Sequence, residues 1–125
     1  MNLEEIPSWL PFLKRVPLFK DLMDEDLQKV AVLLKPLSLP RGASLFQQGD
    51  TGDAFYIVTS GQVHRVVERN GVRAVAGFLG RGDTLGELSL MTGEPRAYTA
   101  FLDATSEFLV LSKADFTAVL RSNPN

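Results

Sequence analysis

Residues 82–99 read GDTLGELSLMTGEPRAYT and place one acid, one arginine and several free backbone donors in one short segment. Gly86 permits a close backbone approach, because glycine has no Cβ atom. The run from Gly86 to Leu90 is expected to form a helical turn whose first N–H groups attract an anion. Arg96 is expected to clamp phosphate oxygens with its planar fork of donors. Glu87 disfavours phosphate but accepts hydrogen bonds from hydroxyl groups, so the segment suits a small phosphorylated sugar.

A second motif lies upstream, at residues 49–63, and reads GDTGDAFYIVTSGQV. Together the two motifs resemble those of the cyclic nucleotide-binding domain family. The phosphate-binding cassette of that family runs Phe-Gly-Glu-Leu-Ala-Leu, then a short variable loop, then Pro-Arg-Ala-Ala-Thr. Here residues 85–90 read LGELSL and residues 95–99 read PRAYT. The resemblance extends from about Leu18 to Leu120, and two linked motifs in the right order are more specific than a lone glycine-rich loop.

The resemblance implies a role for each residue of the cassette. Arg96 would neutralise the exocyclic phosphate oxygens, and Glu87 would bind the ribose 2′-hydroxyl. Backbone groups of the short helix and of Ala97 would complete the phosphate site, while apolar walls of the β-roll would contact sugar and base. The predicted ligand-binding residues are Gly86, Glu87, Leu88, Ser89, Arg96, Ala97, Tyr98, Val63 and Leu85.

Two cassette residues bear on the identity of the base. In the family, Thr or Ser at the position of Ala97 accompanies a preference for guanine, so Ala97 favours cAMP as the ligand and leaves cGMP open. Tyr98 departs from the pattern, because the family usually has a small residue there. Strand alternation would place Tyr98 and Arg96 on one face. The ring could crowd the pocket, stack on a base or donate its hydroxyl, although a core or rim position is favoured.

Composition limits the class of protein. The chain has 125 residues, of which 45% are hydrophobic and 22% charged, as expected for one globular domain. It has no cysteine, no apolar run of membrane-spanning length and no signal-peptide pattern, which predicts a cytoplasmic protein. A net charge of −2 argues against direct nucleic-acid binding. The single histidine, His64, makes a metal site or an enzyme improbable, so no cofactor and no catalysis are predicted.

The predicted fold class is α+β, an antiparallel, jelly-roll-like β-roll with flanking short helices. Asp24 is expected to be the N-cap of a helix that Pro36 ends. Asn70-Gly71 is expected to form the turn of a β-hairpin, and Ser112 to cap the last helix. The chain is predicted to be one domain with N-terminal helices at 1–36, the β-roll at 37–111 with the cassette at 82–99, and a closing helix at 112–122.

In the family, ligand binding draws the cassette helix inward, which frees the closing helix to move, and a following helix folds over the base. This sequence stops at Asn125, where that lid helix would begin. We therefore expect a cAMP sensor module that forms the N-terminal part of a larger signalling protein or transcription regulator. An output domain would be covalently linked to it. Whether the protein forms a homodimer is left open. The alternative is a degenerate domain that acts as a protein-interaction module or senses another ligand.

Overall fold

The computed structural model describes residues 13–121, and over that range the chain forms an antiparallel β-roll with flanking short helices. The predicted α+β class is thereby confirmed, whereas the helical pieces predicted before residue 13 lie outside the described residues. The helices are α1 (Asp24–Leu33), α2 (Glu87–Thr92) and α3 (Lys113–Arg121). The strands are β1 (Lys35–Leu39), β2 (Ser44–Phe46), β3 (Ala54–Ser60), β4 (Val63–Arg69), β5 (Val72–Leu79), β6 (Thr84–Leu85), β7 (Thr99–Leu102) and β8 (Ser106–Ser112).

The strands form two four-stranded antiparallel sheets, in the orders β1-β8-β3-β6 and β2-β7-β4-β5. The predicted hairpin joins β4 to β5, and Asn70 and Gly71 at its tip have φ angles of 54° and 79°. Both residues tolerate positive φ, as the two central positions of a type I′ turn require. This turn sets the pairing of β4 with β5 next to it, and β5 is an edge strand of the second sheet.

The core consists of two apolar clusters that share β3. Phe55 and Ile57 point to one side of this strand, and Tyr56 and Val58 point to the other, as period-two alternation requires. The helical cluster is formed by Leu13, Val16, Phe19, Leu27, Val30, Ala31, Leu34, Phe55, Ile57, Leu90, Leu109, Leu111, Phe116 and Val119. The roll cluster is formed by Phe46, Val58, Val63, Leu85, Ala100, Leu102 and Phe108.

The boundaries of α1 differ from the prediction. Met23 is the N-cap residue, and Asp24 is the first helical residue, where its carboxylate pairs with Lys14 at 2.9 Å. An acid in the first turn is still favoured by the helix dipole, which explains why the sequence pattern misplaced the cap by one position. The helix ends at Leu33 rather than at Pro36, which lies inside β1, so the β-roll begins two residues earlier than predicted.

The start of α3 agrees with the prediction. The Ser112 hydroxyl accepts a hydrogen bond of 3.0 Å from the backbone N–H of Asp115, which is an N-terminal cap. On the buried face of α3, the ring of Phe116 lies 6.1 Å from that of Phe19, which in turn packs edge-on against Phe55. These rings attach α3 to the helical cluster. None of the helices within residues 13–121 has the length and apolar character needed to cross a membrane.

Candidate functional site

The guanidinium of Arg96 is buried beside the roll cluster, and the side chain is only 4% exposed. Its Nη2 donates a hydrogen bond of 2.8 Å to the Ala54 carbonyl, and its Cζ lies 4.3 Å from the centroid of the Phe46 ring. Nε and Nη1 are also buried, and neither has an acceptor within the described part of the chain. Because a buried cation with unpaired donors is costly, this guanidinium is suited to receive an anion.

The backbone of Arg96 is held by the loop between β2 and β3. Its N–H donates to the Asp50 carbonyl, and its own carbonyl accepts from the N–H of Gly49, each at 2.8 Å. An isolated antiparallel bridge between Thr51 and Pro95 extends this pairing by one residue. Two segments about 45 residues apart in sequence are therefore joined at the point where the arginine enters the core, which fixes its direction.

Glycine is required where α2 begins. Gly86 has a φ of 89°, a left-handed backbone conformation that residues with a side chain rarely adopt. A Cβ atom there would overlap Nη1 of Arg96 and would lie 2.8 Å from the Ala54 carbonyl oxygen. At Gly52, a Cβ atom would overlap the side chain of Ser89. The backbone therefore approaches the guanidinium more closely than any other residue type would allow.

Glu87 is the first residue of α2 and is partly buried. Its carboxylate accepts a hydrogen bond from the Thr84 hydroxyl, which orients it while leaving other lone pairs free. The next residues of α2 divide between two environments. Ser89 and Leu90 are buried, whereas the side chain of Leu88 is 62% exposed, so only the backbone of Leu88 is placed to contribute.

Tyr98 and Arg96 both contact the ring of Phe46. Residues 96–98 precede β7, so strand alternation does not apply to them, yet both side chains pack against Phe46, with 5.4 Å between the rings of Tyr98 and Phe46. Burial raises the pKa of the Tyr98 hydroxyl, which the positive charges of Arg65 and Arg96 oppose and the negative charge of Glu87 reinforces. Tyr98 is therefore surrounded by the charged groups of the site.

The remaining predicted residues are placed differently. Val63 and Leu85 belong to the roll cluster and are 0% and 1% exposed, so in this conformation neither offers side-chain surface to a ligand. That they contact the sugar and the base of a ligand therefore stays a prediction; Phe46 belongs to the same cluster, and the Tyr98 ring packs against it. Ala97 is exposed beside Arg96. The structure brings together Gly86, Glu87, Ser89, Arg96 and Tyr98.

Sequence reasoning missed three residues of the site. Phe46 and Tyr56 both lie near Arg96, whose Cζ is 5.8 Å from the Tyr56 ring. Burial raises the pKa of Tyr56, against the effect of the Arg96 charge. Arg65 is the third, and its Cζ lies 5.7 Å from the centroid of Tyr98. Alternation along β4 could have found Arg65, because it stands two residues after Val63 and therefore shares the inner face.

A family model described as cyclic nucleotide-binding domain matches residues 36–123. The cAMP-dependent protein kinase regulatory subunit of Mucor circinelloides f. lusitanicus is 37% identical over 109 residues, which is 87% of this chain and 26% of that protein. A cGMP-dependent protein kinase, isozyme 2, of Drosophila melanogaster is 29% identical over 113 residues, which is 87% of this chain and 12% of that protein.

Solved structures agree with the sequence comparisons. The regulatory domain of Toxoplasma gondii PKA, in a co-crystal structure with cAMP, matches with a TM-score of 0.87 at 27% identity, over 95% of this chain and 46% of that one. The chain thus spans about a quarter of the Mucor relative and less than half of the Toxoplasma structure. The similarity to these proteins therefore covers one domain of each.

Proposed function

Because this chain belongs to the cyclic nucleotide-binding domain family, we propose that it is a regulatory module that binds a cyclic nucleoside monophosphate and catalyses no reaction itself. The observation that carries the proposal is the buried guanidinium of Arg96, whose Nε and Nη1 have no acceptor among residues 13–121. A cyclic phosphate supplies two exocyclic oxygens with a shared negative charge. Such an anion would satisfy both donors and neutralise the buried cation.

The other residues of the site would then recognise the sugar. Glu87 would accept a hydrogen bond from the ribose 2′-hydroxyl, since the bond from Thr84 leaves part of its carboxylate free. Backbone groups of Gly86, Leu88 and Ala97 would complete the phosphate site. Because Val63 and Leu85 are buried in the roll cluster, neighbouring side chains would have to move before a ligand contacts them, and the two residues would then form the apolar floor.

The signal would pass through α2. Leu90 on α2 and Phe116 on α3 both belong to the helical cluster. When an anion at Arg96 shifts α2, the surface against which α3 packs changes with it. The ligand can drive this movement only through a higher affinity for the shifted state. An output domain in the same polypeptide would detect the position of α3, and we keep the cytoplasmic location and the regulatory role predicted from the sequence.

The identity of the base is part of the proposal. Ala97 favours cAMP through the family resemblance, and the relatives named above include both a cAMP-dependent and a cGMP-dependent kinase protein. We therefore propose both cyclic nucleotides as ligands to be tested in parallel, with 5′-AMP as the reference that lacks the cyclic phosphate.

Isothermal titration of this chain with cAMP, cGMP and 5′-AMP tests the proposal. We expect saturable one-to-one binding of a cyclic nucleotide, with 5′-AMP much weaker. Arg96→Ala should weaken binding by roughly 2–5 kcal/mol, as for the loss of one partner of a buried charge pair. Arg41→Ala is the matched control, because that arginine is 75% exposed and lies outside the site. Unchanged affinity of the Arg96→Ala variant would refute the assignment of the phosphate site.

A thermodynamic cycle tests the role of Glu87. Glu87→Ala should weaken binding by roughly 1.5–3 kcal/mol, the range for a hydrogen bond to a charged group. This loss should shrink for a 2′-deoxy analogue, which lacks the hydroxyl that Glu87 would accept from. If the two losses simply add, Glu87 does not contact that hydroxyl.

A second candidate function has one observation in its favour. The Phe46 ring lies against the Arg96 guanidinium, and this cation–π contact compensates part of the buried charge without any ligand. A degenerate domain that binds a protein partner or another ligand would keep such a closed arrangement. The titration separates the two candidates, because a degenerate domain would bind none of the three nucleotides.

A further inference from the structure

A second arginine lies on the inner face of the roll. Arg65 lies on β4, where successive side chains alternate between the two faces of the sheet. Val63 is fully buried in the roll cluster, whereas His64 packs against the outward Phe78 ring, so Arg65 shares the face of Val63. The register pairs Arg65 with Ala100 of β7, another fully buried residue of the roll cluster. The position is therefore one where the fold places apolar side chains, and here it carries a cation.

The fold makes room for this guanidinium. Arg65 pairs with Gly77 of β5, next to a register shift between Arg65 and Val66. A Cβ atom at Gly77 would lie 2.9 Å from Nε and 3.0 Å from Cζ of Arg65 and would overlap Nη2. Glycine at this position of an edge strand thus leaves space for the guanidinium beside β5. The shift at Val66 turns the strand locally, as β-bulges do beside binding sites.

Arg65 is not neutralised where it lies. Its Cζ is 5.7 Å from the Tyr98 ring centroid, and its Nε is buried with no acceptor within residues 13–121. The ion pairs formed by the described residues do not include this side chain. The guanidinium thus lies beside Gly77 and the Tyr98 ring with one buried donor free, and it carries a planar fork of donors. Such a fork suits a ligand with adjacent acceptors.

The two arginines and the acid surround the same side chain. The charges of Arg65, Arg96 and Glu87 all act on the Tyr98 hydroxyl. If the phosphate binds Arg96 and the ribose binds Glu87, Arg65 is the charged group at this site that remains for the base. We propose that Arg65 binds the acceptor edge of the purine and makes the site favour 6-oxopurine cyclic nucleotides over cAMP. This inference rests on the proposed function.

The preference follows from the pattern of donors and acceptors. The edge of guanine that carries N7 and O6 has two adjacent acceptors, which match the fork of an arginine. Adenine keeps N7 but has an amino donor at position 6, which would face a donor of Arg65. A good bidentate pair of this kind discriminates by about tenfold to a hundredfold. Arg65 therefore opposes the preference for cAMP that Ala97 suggests.

Titrations with cGMP, cIMP and cAMP test the inference on the wild-type chain and on Arg65→Leu. Cyclic IMP keeps N7 and O6 but lacks the 2-amino group, so it isolates the edge that Arg65 would bind. We expect cGMP and cIMP to bind about tenfold to a hundredfold more tightly than cAMP. Arg65→Leu should remove that advantage and leave cAMP affinity within about threefold. Arg65→Lys should restore only part of it, because an ammonium lacks the planar fork.

Two further variants keep the test decisive. Gly77→Ala should displace the guanidinium and reduce the advantage of cGMP over cAMP without removing the arginine, even if Arg65→Leu fails to fold. Arg69→Leu is the matched control, because this arginine lies exposed on the same strand and should change nothing. Equal wild-type affinity for all three ligands, or an equal loss of all three in Arg65→Leu, would overturn the inference alone. If no cyclic nucleotide binds the wild-type chain, the proposed function fails with it.

Discussion

The helical cluster and the roll cluster share β3, yet they differ in whether the buried charged group beside them has a partner of opposite charge. Beside the helical cluster, the buried carboxylate of Asp26 lies 3.6 Å from the ammonium of Lys29. Beside the roll cluster, the buried guanidinium of Arg96 keeps two donors without an acceptor in the described chain. One charge is compensated by a neighbouring side chain, whereas the other keeps free donors, as the proposed function requires.

The aromatic rings differ in the same way. In the helical cluster, Phe55 and Phe116 pack against Phe19 and attach two separate segments to the sheet. In the roll cluster, Phe46 packs against Tyr98 and also against the Arg96 guanidinium. The first set of rings attaches helical segments to the sheet, whereas the second lies beside the proposed phosphate site. We therefore expect mutations in the two clusters to separate stability from binding.

The largest effect on stability should come from Phe55→Ala. This ring is fully buried in the helical cluster, so its removal should lower the free energy of unfolding by about 3–5 kcal/mol. Denaturant unfolding measures the change, and Phe78→Ala is the matched control, because that ring is mostly exposed on β5. The control should lose less than about 1 kcal/mol. A similar loss in both variants would mean that burial in the helical cluster does not determine stability.

Arg96→Met should have the opposite profile. The change removes a buried cation with two unpaired donors but also the hydrogen bond from Nη2 to the Ala54 carbonyl, and the unbranched methionine fills the space, so the free energy of unfolding should stay nearly the same. Cyclic nucleotide affinity should fall by about 2–5 kcal/mol. Denaturant unfolding and titration of the same preparation measure both quantities. A loss of several kcal/mol of stability would show that Arg96 holds the fold, and the contrast between the clusters would disappear.

The features that local sequence determines could be predicted. The hairpin at Asn70-Gly71, the cap at Ser112 and the glycine before α2 each depend on a few neighbouring residues whose backbone preferences are strong. Arg96 and Glu87 were found in the same way, from a short motif. The start of α1 was misplaced by one residue because Asp24 suits both the cap and the first turn, and its end was misplaced because Pro36 lies within β1 rather than at the end of the helix.

The features that depend on distant pairing could not be predicted in the same way. The loop that fixes Arg96 comes from 45 residues upstream, and nothing in the cassette itself specifies that Phe46 will lie under the guanidinium. Arg65 was missed because arginines are usually exposed, and its inner position depends on the register of β4 against β7. The complete burial of Val63 and Leu85 is likewise a tertiary property that the motif does not specify.

The two glycines that bracket α2 sharpen the comparison. Gly86 and Gly93 both have positive φ, at 89° and 76°, so alanine strains the backbone at either position. Only at Gly86 would the new Cβ atom overlap Arg96, whereas at Gly93 nothing lies within 4 Å. Gly93→Ala should therefore cost about 1–2 kcal/mol of stability with unchanged affinity. Gly86→Ala should cost about 1–3 kcal/mol more and also weaken ligand binding. Equal effects of the two changes on affinity would show that the close approach to Arg96 is not needed for the ligand.

The smallest effect is expected at the start of α3, where the helical cluster meets the end of β8. Ser112→Ala removes the hydroxyl that accepts from Asp115, which should lower the free energy of unfolding by about 1 kcal/mol, while Lys113→Ala at the next position should have little effect. Ligand affinity should not change, because the cap stabilises α3 equally in both of its proposed positions. Its removal therefore does not alter the equilibrium between them, to which ligand binding is coupled. If titration shows weaker or tighter binding in Ser112→Ala but not in Lys113→Ala, the first turn of α3 must open or reform when the ligand binds. The helix would then respond by partial unfolding rather than by moving as a unit.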